Sequence, residues 1–230
     1  MSDTTNDANA AVSKVNVAIV LDRSGSMESC RQDAVGAVNS YLRQLREDPR
    51  VDARLSLVIF DSESIDTIRD QVPARTCPDV TPDEYQPRAS TPLLDAVGAG
   101  AALLDRVAGA DERHILAIMT DGLENASREF SYDQIRKLLE RKQQEDGWLV
   151  VYLGAGHDTW AAAQRIGLHP GSVARYEAAA MRETSDALYA SSARYLYARS
   201  AKAGQKAAAF TREERSSLLG SKKDDSKPGR

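Results

Sequence analysis

Four short, strongly apolar runs, VDARLSLVIF (51–60), RHILAIMT (113–120), WLVVYLG (148–154) and, first in the chain, VNVAIVL (15–21), are separated by segments whose apolar residues recur with helical period. A strand with little polar alternation is covered on both faces, so these runs read as inner strands of one sheet. Parallel neighbours cannot be joined by a hairpin and need a crossover, which the helical segments supply. The alternation therefore predicts an α/β fold: a doubly wound, mostly parallel central sheet with helices on both faces.

The connecting segments carry recognisable boundaries. Ala34, Val38, Tyr41, Leu42 and Leu45 share one face of a helix that begins near Ser29, after a turn at Gly25. Leu94, Val97, Ala101 and Leu104 share another, from Pro92 to about Val107, with proline in the first turn. Ser131 and Gln134 form a capping-box pattern ahead of a helix that ends at Gly147. SIDTIRDQV (64–72) reads as one antiparallel edge strand, returning from its predecessor through a tight turn at Ser62–Ser64. Pro73–Ser90 has four prolines and no period, and reads as a surface loop. DTWAAAQRIG predicts a short helix and SVARYE a last strand, while Met181, Leu188, Ser192, Tyr195 and Ala198 predict one docking helix from Ala178 to about Gly204. The expected organisation is a disordered tail over 1–13, one domain over 14–205 and a flexible polar tail over 206–230, disordered in its last fifteen residues.

Composition narrows the class. With 230 residues and 42% apolar content the chain can bury one good-sized core. A net charge of -4 without a basic run argues against nucleic acid, and two cysteines are too few for a disulfide framework. The first residues lack a basic region followed by an apolar core, and no run reaches membrane-spanning length, so a cytoplasmic protein without a membrane partner is expected.

The chemistry-bearing residues lie at the carboxyl ends of strands, the edge where open α/β sheets bind ligands. Asp22 ends the first run and is followed by Ser24 and Ser26; Asp121 ends HILAIMT; Thr91 opens the Pro92 helix. Two carboxylates and three hydroxyls suit a hard ion and not zinc, which favours nitrogen and sulfur. Mg²⁺ fits such oxygens, with Mn²⁺ as the alternative; the two acids offset its charge and the neutral hydroxyls leave it seeking one more anionic oxygen. Asp61, at the end of LVIFD, and Asp95, one turn into its helix, are candidates for a supporting role around that site.

Asp22-Arg23-Ser24-Gly25-Ser26, Thr91 in STPLLDA and Asp121 in MTDG together resemble the metal-ion-dependent adhesion site of von Willebrand factor A domains. The likeness spans roughly Lys14 to Glu177, and DGLENASREF and WLVVYLGAG look like intracellular bacterial and phage members of that family. The resemblance implies a Rossmann-like fold in which Ser24, Ser26 and Thr91 touch the metal through their hydroxyls, while Asp22 and Asp121 hold it partly through water. It also implies a partner protein whose Asp or Glu carboxylate takes the open position, within an intracellular assembly. One departure is Ala89-Ser90, where many relatives have glycine before the threonine.

Enzyme readings fit less well. No histidine is placed to activate Ser24 or Ser26, and an aspartyl-phosphate mechanism lacks its second acid, because Ser24 occupies that position. The rival is a nucleotide or dinucleotide site at Gly154-Ala155-Gly156-His157-Asp158-Thr159, which follows a strand, opens a helix and precedes Glu177 by about twenty residues. Its third glycine position is Thr159. His114, His157 and His169 are scattered, and Cys30 and Cys77 are expected to be inert. The expectation is a metal-dependent protein-binding module that is not an enzyme.

Overall fold

The computed structural model describes residues 12–107, 109, 111–155, 158–177 and 180–219, and excludes the Met181 side chain. The terminal stretches 1–11 and 220–230, expected as tails, lie outside the described residues. Six strands, β1 (Ser13–Asp22), β2 (Val51–Phe60), β3 (Ile65–Pro73), β4 (Arg113–Thr120), β5 (Leu149–Gly154) and β6 (Val173–Arg175), form one sheet in the order β3-β2-β1-β4-β5-β6. All pairings are parallel except β2 with β3, the expected antiparallel edge.

The helices are α1 (Arg31–Glu47), α2 (Leu93–Asp105), α3 (Tyr132–Gln144), α4 (Thr159–Arg165), α5 (Met181–Tyr197), α6 (Ala201–Ala207) and α7 (Arg212–Leu218). Alternation along β1 divides the core in two: Val15, Val17, Ile19 and Leu21 pack with α1 and α5, and Ala18 and Val20 with α2. From β1 the chain adds strands toward one edge, then returns and adds β4, β5 and β6 toward the other. The crossovers after β1 and β4 thus leave on opposite faces and open a crevice beyond the ends of these two strands. Asp22 and Asp121 stand at that crevice.

The two faces differ in how closely helix meets sheet. A Cβ at Gly100 would lie 2.5 Å from Val20 Cγ2 and 3.1 Å from Leu116 Cδ1, so the α2 backbone rests directly on β1 and β4. On the other face, α5 packs against α1, where Tyr41 Oη and Ser192 Oγ are 2.9 Å apart. The single helix expected from Ala178 to Gly204 is instead two, because Ser200 turns to an extended backbone and its hydroxyl accepts the Ala203 N–H to start α6.

Two further expectations are corrected. The 74–90 segment is not only a surface loop, since Cys77, Val80 and Tyr85 enter the core beside α1. Nor is the chain loose from 206 onward: Thr211 and Glu214 form a capping box, Leu218 is fully buried, and the Leu218 carbonyl accepts the Glu177 N–H at 2.9 Å. Arg215 ties this helix to the Val173 carbonyl and to Pro170 O at 2.7 Å. The polar composition concealed one apolar anchor and a set of side-chain to backbone bonds, which composition does not register.

Both packings are open to measurement. Gly100→Ala should destabilise the protein by about 1–3 kcal/mol through overpacking against Val20, read from denaturant midpoints at constant m. Leu218→Ala should cost about 2–3 kcal/mol by leaving a cavity under α7; wild-type stability in that variant would show that the segment contributes nothing to the fold.

Candidate metal centre

Three loops converge where β1 and β4 end. The strands are in register, Leu21 opposite Met119, so Asp22 and Thr120 leave the sheet side by side. The Asp22 side chain is wholly buried. Its Oδ1 accepts the Ser24 N–H at 2.7 Å and its Oδ2 accepts the Thr120 hydroxyl at 2.5 Å, which fixes the carboxylate from both sides. The backbone carbonyl of Asp22 accepts the hydroxyl of buried Tyr85.

From there a chain of hydroxyls leads outward. Ser24 Oγ and Ser26 Oγ lie 3.1 Å apart, and Ser26 Oγ donates to Asp121 Oδ1 at 2.6 Å. Thr91 enters from the loop that leads into α2: its N–H donates to Asn125 Oδ1 at 2.8 Å, and its carbonyl accepts the Asn125 N–H at 3.1 Å. A Cβ at Gly122 would meet Thr91 Oγ1 at 3.1 Å and Asp22 Oδ2 at 3.6 Å, so the threonine hydroxyl and the first carboxylate border the same small space. The structure thus brings Asp22, Ser24, Ser26, Thr91 and Asp121 together at one rim.

The departure at Ala89-Ser90 is accommodated by the backbone. Ala89 adopts a left-handed conformation with φ 57°, and its carbonyl accepts the Gly25 N–H at 3.1 Å. The substitution therefore costs strain, roughly 1–2 kcal/mol, without displacing Thr91, which Asn125 holds independently.

The two rim acids are raised by their surroundings and stand apart from the protein's cations. Burial pushes Asp22 up to about 6, with the nearby Asp121 charge adding to the effect, and burial also raises Asp121. Among the described residues neither acid has a salt-bridge partner. Arg23, between Asp22 and Ser24 in sequence, turns away to Asp61 Oδ2 at 2.6 Å and Asp66 Oδ2 at 2.9 Å. No group of three or more His, Cys, Asp or Glu side chains suited to a metal occurs among the described residues. What this rim offers is two carboxylates and three hydroxyls, a donor set for a hard ion.

The supporting acids have other partners. Asp61 accepts from Arg23, from Arg88 at 3.0 Å and from the N–H groups of Glu63 and Ser64. Asp95 accepts the N–H groups of Arg128, Glu129 and Phe130 and so fixes the loop after β4. Neither hydrogen-bonds to the five rim residues. The groups that do support the rim, Thr120, Tyr85 and Asn125, were missed from sequence. Thr120 carried a signal, a hydroxyl closing an apolar strand beside Asp121; Tyr85 carried none, being a lone aromatic in a proline-rich segment.

The remaining candidates lie elsewhere. His114 is buried and stacks on Trp148 with ring centroids 5.3 Å apart. Both cysteines are free and buried, and burial pushes the Cys30 thiol up to about 11. At the glycine-containing turn after β5, a Cβ on Gly154 would meet Thr159 Oγ1 at 2.6 Å, so the threonine side chain fills the space beside that glycine. Gly156 and His157 lie outside the described residues.

No family model matches the chain, and no curated protein does. Solved structures do. The von Willebrand factor type A protein from Catenulispora acidiphila superposes with a TM-score of 0.63 at 16% identity, covering 80% of this chain and 43% of its own. The pilus adhesin SpaC from Lactobacillus rhamnosus GG gives 0.59 at 16% identity over 76% of this chain and 29% of its own. The manganese-loaded TRAP protein of Plasmodium vivax gives 0.50 at 14% identity over 75% of this chain and 71% of its own. This chain thus spans less than half the length of the first of these proteins. At such identities the likeness concerns architecture, and the architecture is that of the von Willebrand factor A fold.

Proposed function

We propose that this protein is a divalent-metal-dependent protein-binding module, with Asp22, Ser24, Ser26, Thr91 and Asp121 holding Mg²⁺ or Mn²⁺ and a partner's Asp or Glu carboxylate completing the site. The observation that carries the proposal is the convergence, from three loops, of two carboxylates without a cationic partner among the described residues and three hydroxyls. The manganese-loaded neighbour and the pilus adhesin neighbour support a metal and a protein ligand for this architecture.

The chain's own residues divide the work. Asp22, fixed by Ser24 N–H and Thr120, supplies charge at the base of the rim, and Asp121 supplies it at the more open side. Ser24, Ser26 and Thr91 add neutral oxygens, which satisfy coordination without quenching charge. A bound ion would supply an electron-poor position for one further anionic oxygen. Thr120, Tyr85 and Asn125 hold these groups in place, so little rearrangement is needed on binding.

A binding role is also preferred over catalysis. The hydroxyls of Ser24 and Ser26 bond to each other and to Asp121, and no histidine reaches either among the described residues. No helix among those residues is long and apolar enough to cross a membrane, and the two buried free thiols fit the cytoplasmic, bacterial setting proposed here.

Mn²⁺ gives a direct test, because its effect on water-proton relaxation reports both binding and access to the coordination sphere. The wild type should bind Mn²⁺ in competition with Mg²⁺, and acetate should lower the relaxation enhancement by displacing water. Asp22→Ala should abolish both responses while circular dichroism stays unchanged. Wild-type Mn²⁺ affinity in Asp22→Ala would overturn the assignment.

The buried carboxylate makes a second prediction. In chelator, Asp22 is pushed up to about 6 from an ordinary value of 3.8, so over that interval the folded state holds a proton that the unfolded state has released. Its contribution to stability is therefore full below about pH 4 and lost as pH rises through 6. At pH 7 the penalty is on the order of 2–3 kcal/mol. Asp22→Asn should be more stable than the chelated wild type by about that amount at pH 7 and nearly equal to it at pH 4. Mg²⁺ should close the gap at pH 7 by stabilising only the wild type.

A further inference from the structure

The opposite end of the sheet carries a cavity with both charged and apolar walls. It has a volume of about 600 Å³ and lies where β1 and β4 begin and α5 ends. Since β1 runs from Ser13 to Asp22, the cavity is roughly 30 Å from the metal rim at about 3.3 Å per residue.

Its wall combines unneutralised cations with exposed apolar surface. Arg113 donates one guanidinium nitrogen to Ala198 O at 2.9 Å, while Nη1 is buried with no hydrogen-bond partner. Lys14 is exposed, and among the described residues neither it nor Arg113 has a carboxylate within salt-bridge distance. Arg50 is already neutralised by Asp48 at 3.2 Å and lies over the Tyr197 ring, its Cζ 3.9 Å from the centroid. Asp111 is the carboxylate in the wall, and it is exposed. The wall charges, with Arg50 set against Asp48, leave the cavity cationic. Val12 at 55% and Tyr197 at 39% are among the few large apolar side chains left exposed, and both line this cavity.

A half-buried guanidinium without a counter-ion is costly unless an anion arrives, and exposed apolar groups beside it reward an apolar body on that anion. The volume lies within the range of small-molecule sites. We propose that this cavity binds a small amphiphilic oxyanion, one carboxylate, sulfonate or phosphate group on an apolar or aromatic body, with Lys14 and Arg113 taking the acid and Val12 and Tyr197 the body. The site is independent of the metal rim.

The aromatic sulfonate 8-anilino-1-naphthalenesulfonate serves as the probe, with N-phenyl-1-naphthylamine as its uncharged counterpart, both titrated by fluorescence into the full chain. The wild type should bind the sulfonate saturably at one site and the amine at least about tenfold more weakly. Lys14→Glu, at an exposed side chain outside the core, should weaken the sulfonate about tenfold with unchanged circular dichroism. Arg113→Gln should weaken it too, and Trp160→Ser, at the exposed tryptophan in the separate groove beside Leu168 and Val173, should not. No saturable binding, equal binding of the amine, or wild-type affinity in Lys14→Glu overturns the proposal. Loss of binding in Trp160→Ser alone would place the probe in the other groove and overturn it equally.

Discussion

The Asp22 carboxylate is buried at the end of the strand that the whole sheet is built around. β1 is paired on both edges and covered on both faces, so its last residue emerges in a setting from which water is largely excluded. Burial there opposes ionisation, and the surrounding donors, the Ser24 N–H and the Thr120 hydroxyl, only partly compensate. The rest of the rim is arranged around this one acid. Asp121 adds a second charge that makes the first harder to ionise, and among the described residues no cation pairs with either. Holding a buried acid in this way costs stability once it ionises.

Arg23 pairs elsewhere. A guanidinium directly after Asp22 in sequence is the obvious candidate to neutralise it. Buried Asp61 instead draws Arg23 to the neighbouring strand end, with Asp66 and Ser64 completing the contact. Asp61 thus matters to the rim by holding a competing cation away. Asp95 accepts three successive N–H groups and so fixes the loop from which Asn125 reaches Thr91.

The two ends of the sheet have opposite character. At the carboxyl ends of β1 and β4, Asp22 and Asp121 have no salt-bridge partner among the described residues; at the amino ends of the same strands, neither do Lys14 and Arg113. Parallel strands place all their carboxyl ends together, so these two groups of residues lie at opposite ends of the sheet. Between them is a close-packed core, to which Gly100 admits α2 at backbone distance.

The sequence by itself determined the sheet, its inner strands and the place of Asp22 and Asp121 at its edge. Unbroken apolar runs have few other ways to be buried, and an acid that ends such a run must stand at the sheet's edge. Polar segments were less legible, because they are placed by single anchors and not by a repeating pattern. Tyr85 reaches the Asp22 carbonyl from a proline-rich stretch, α7 is fastened by Leu218 and Arg215, and α5 gives way to α6 at Ser200. Only the tertiary structure decided that Arg23 serves Asp61 and not Asp22, and that Ala89 takes a left-handed backbone where glycine would be easier. These outcomes depend on which groups meet across the fold, and a contact between residues 38 or more positions apart leaves no mark on the local period of either.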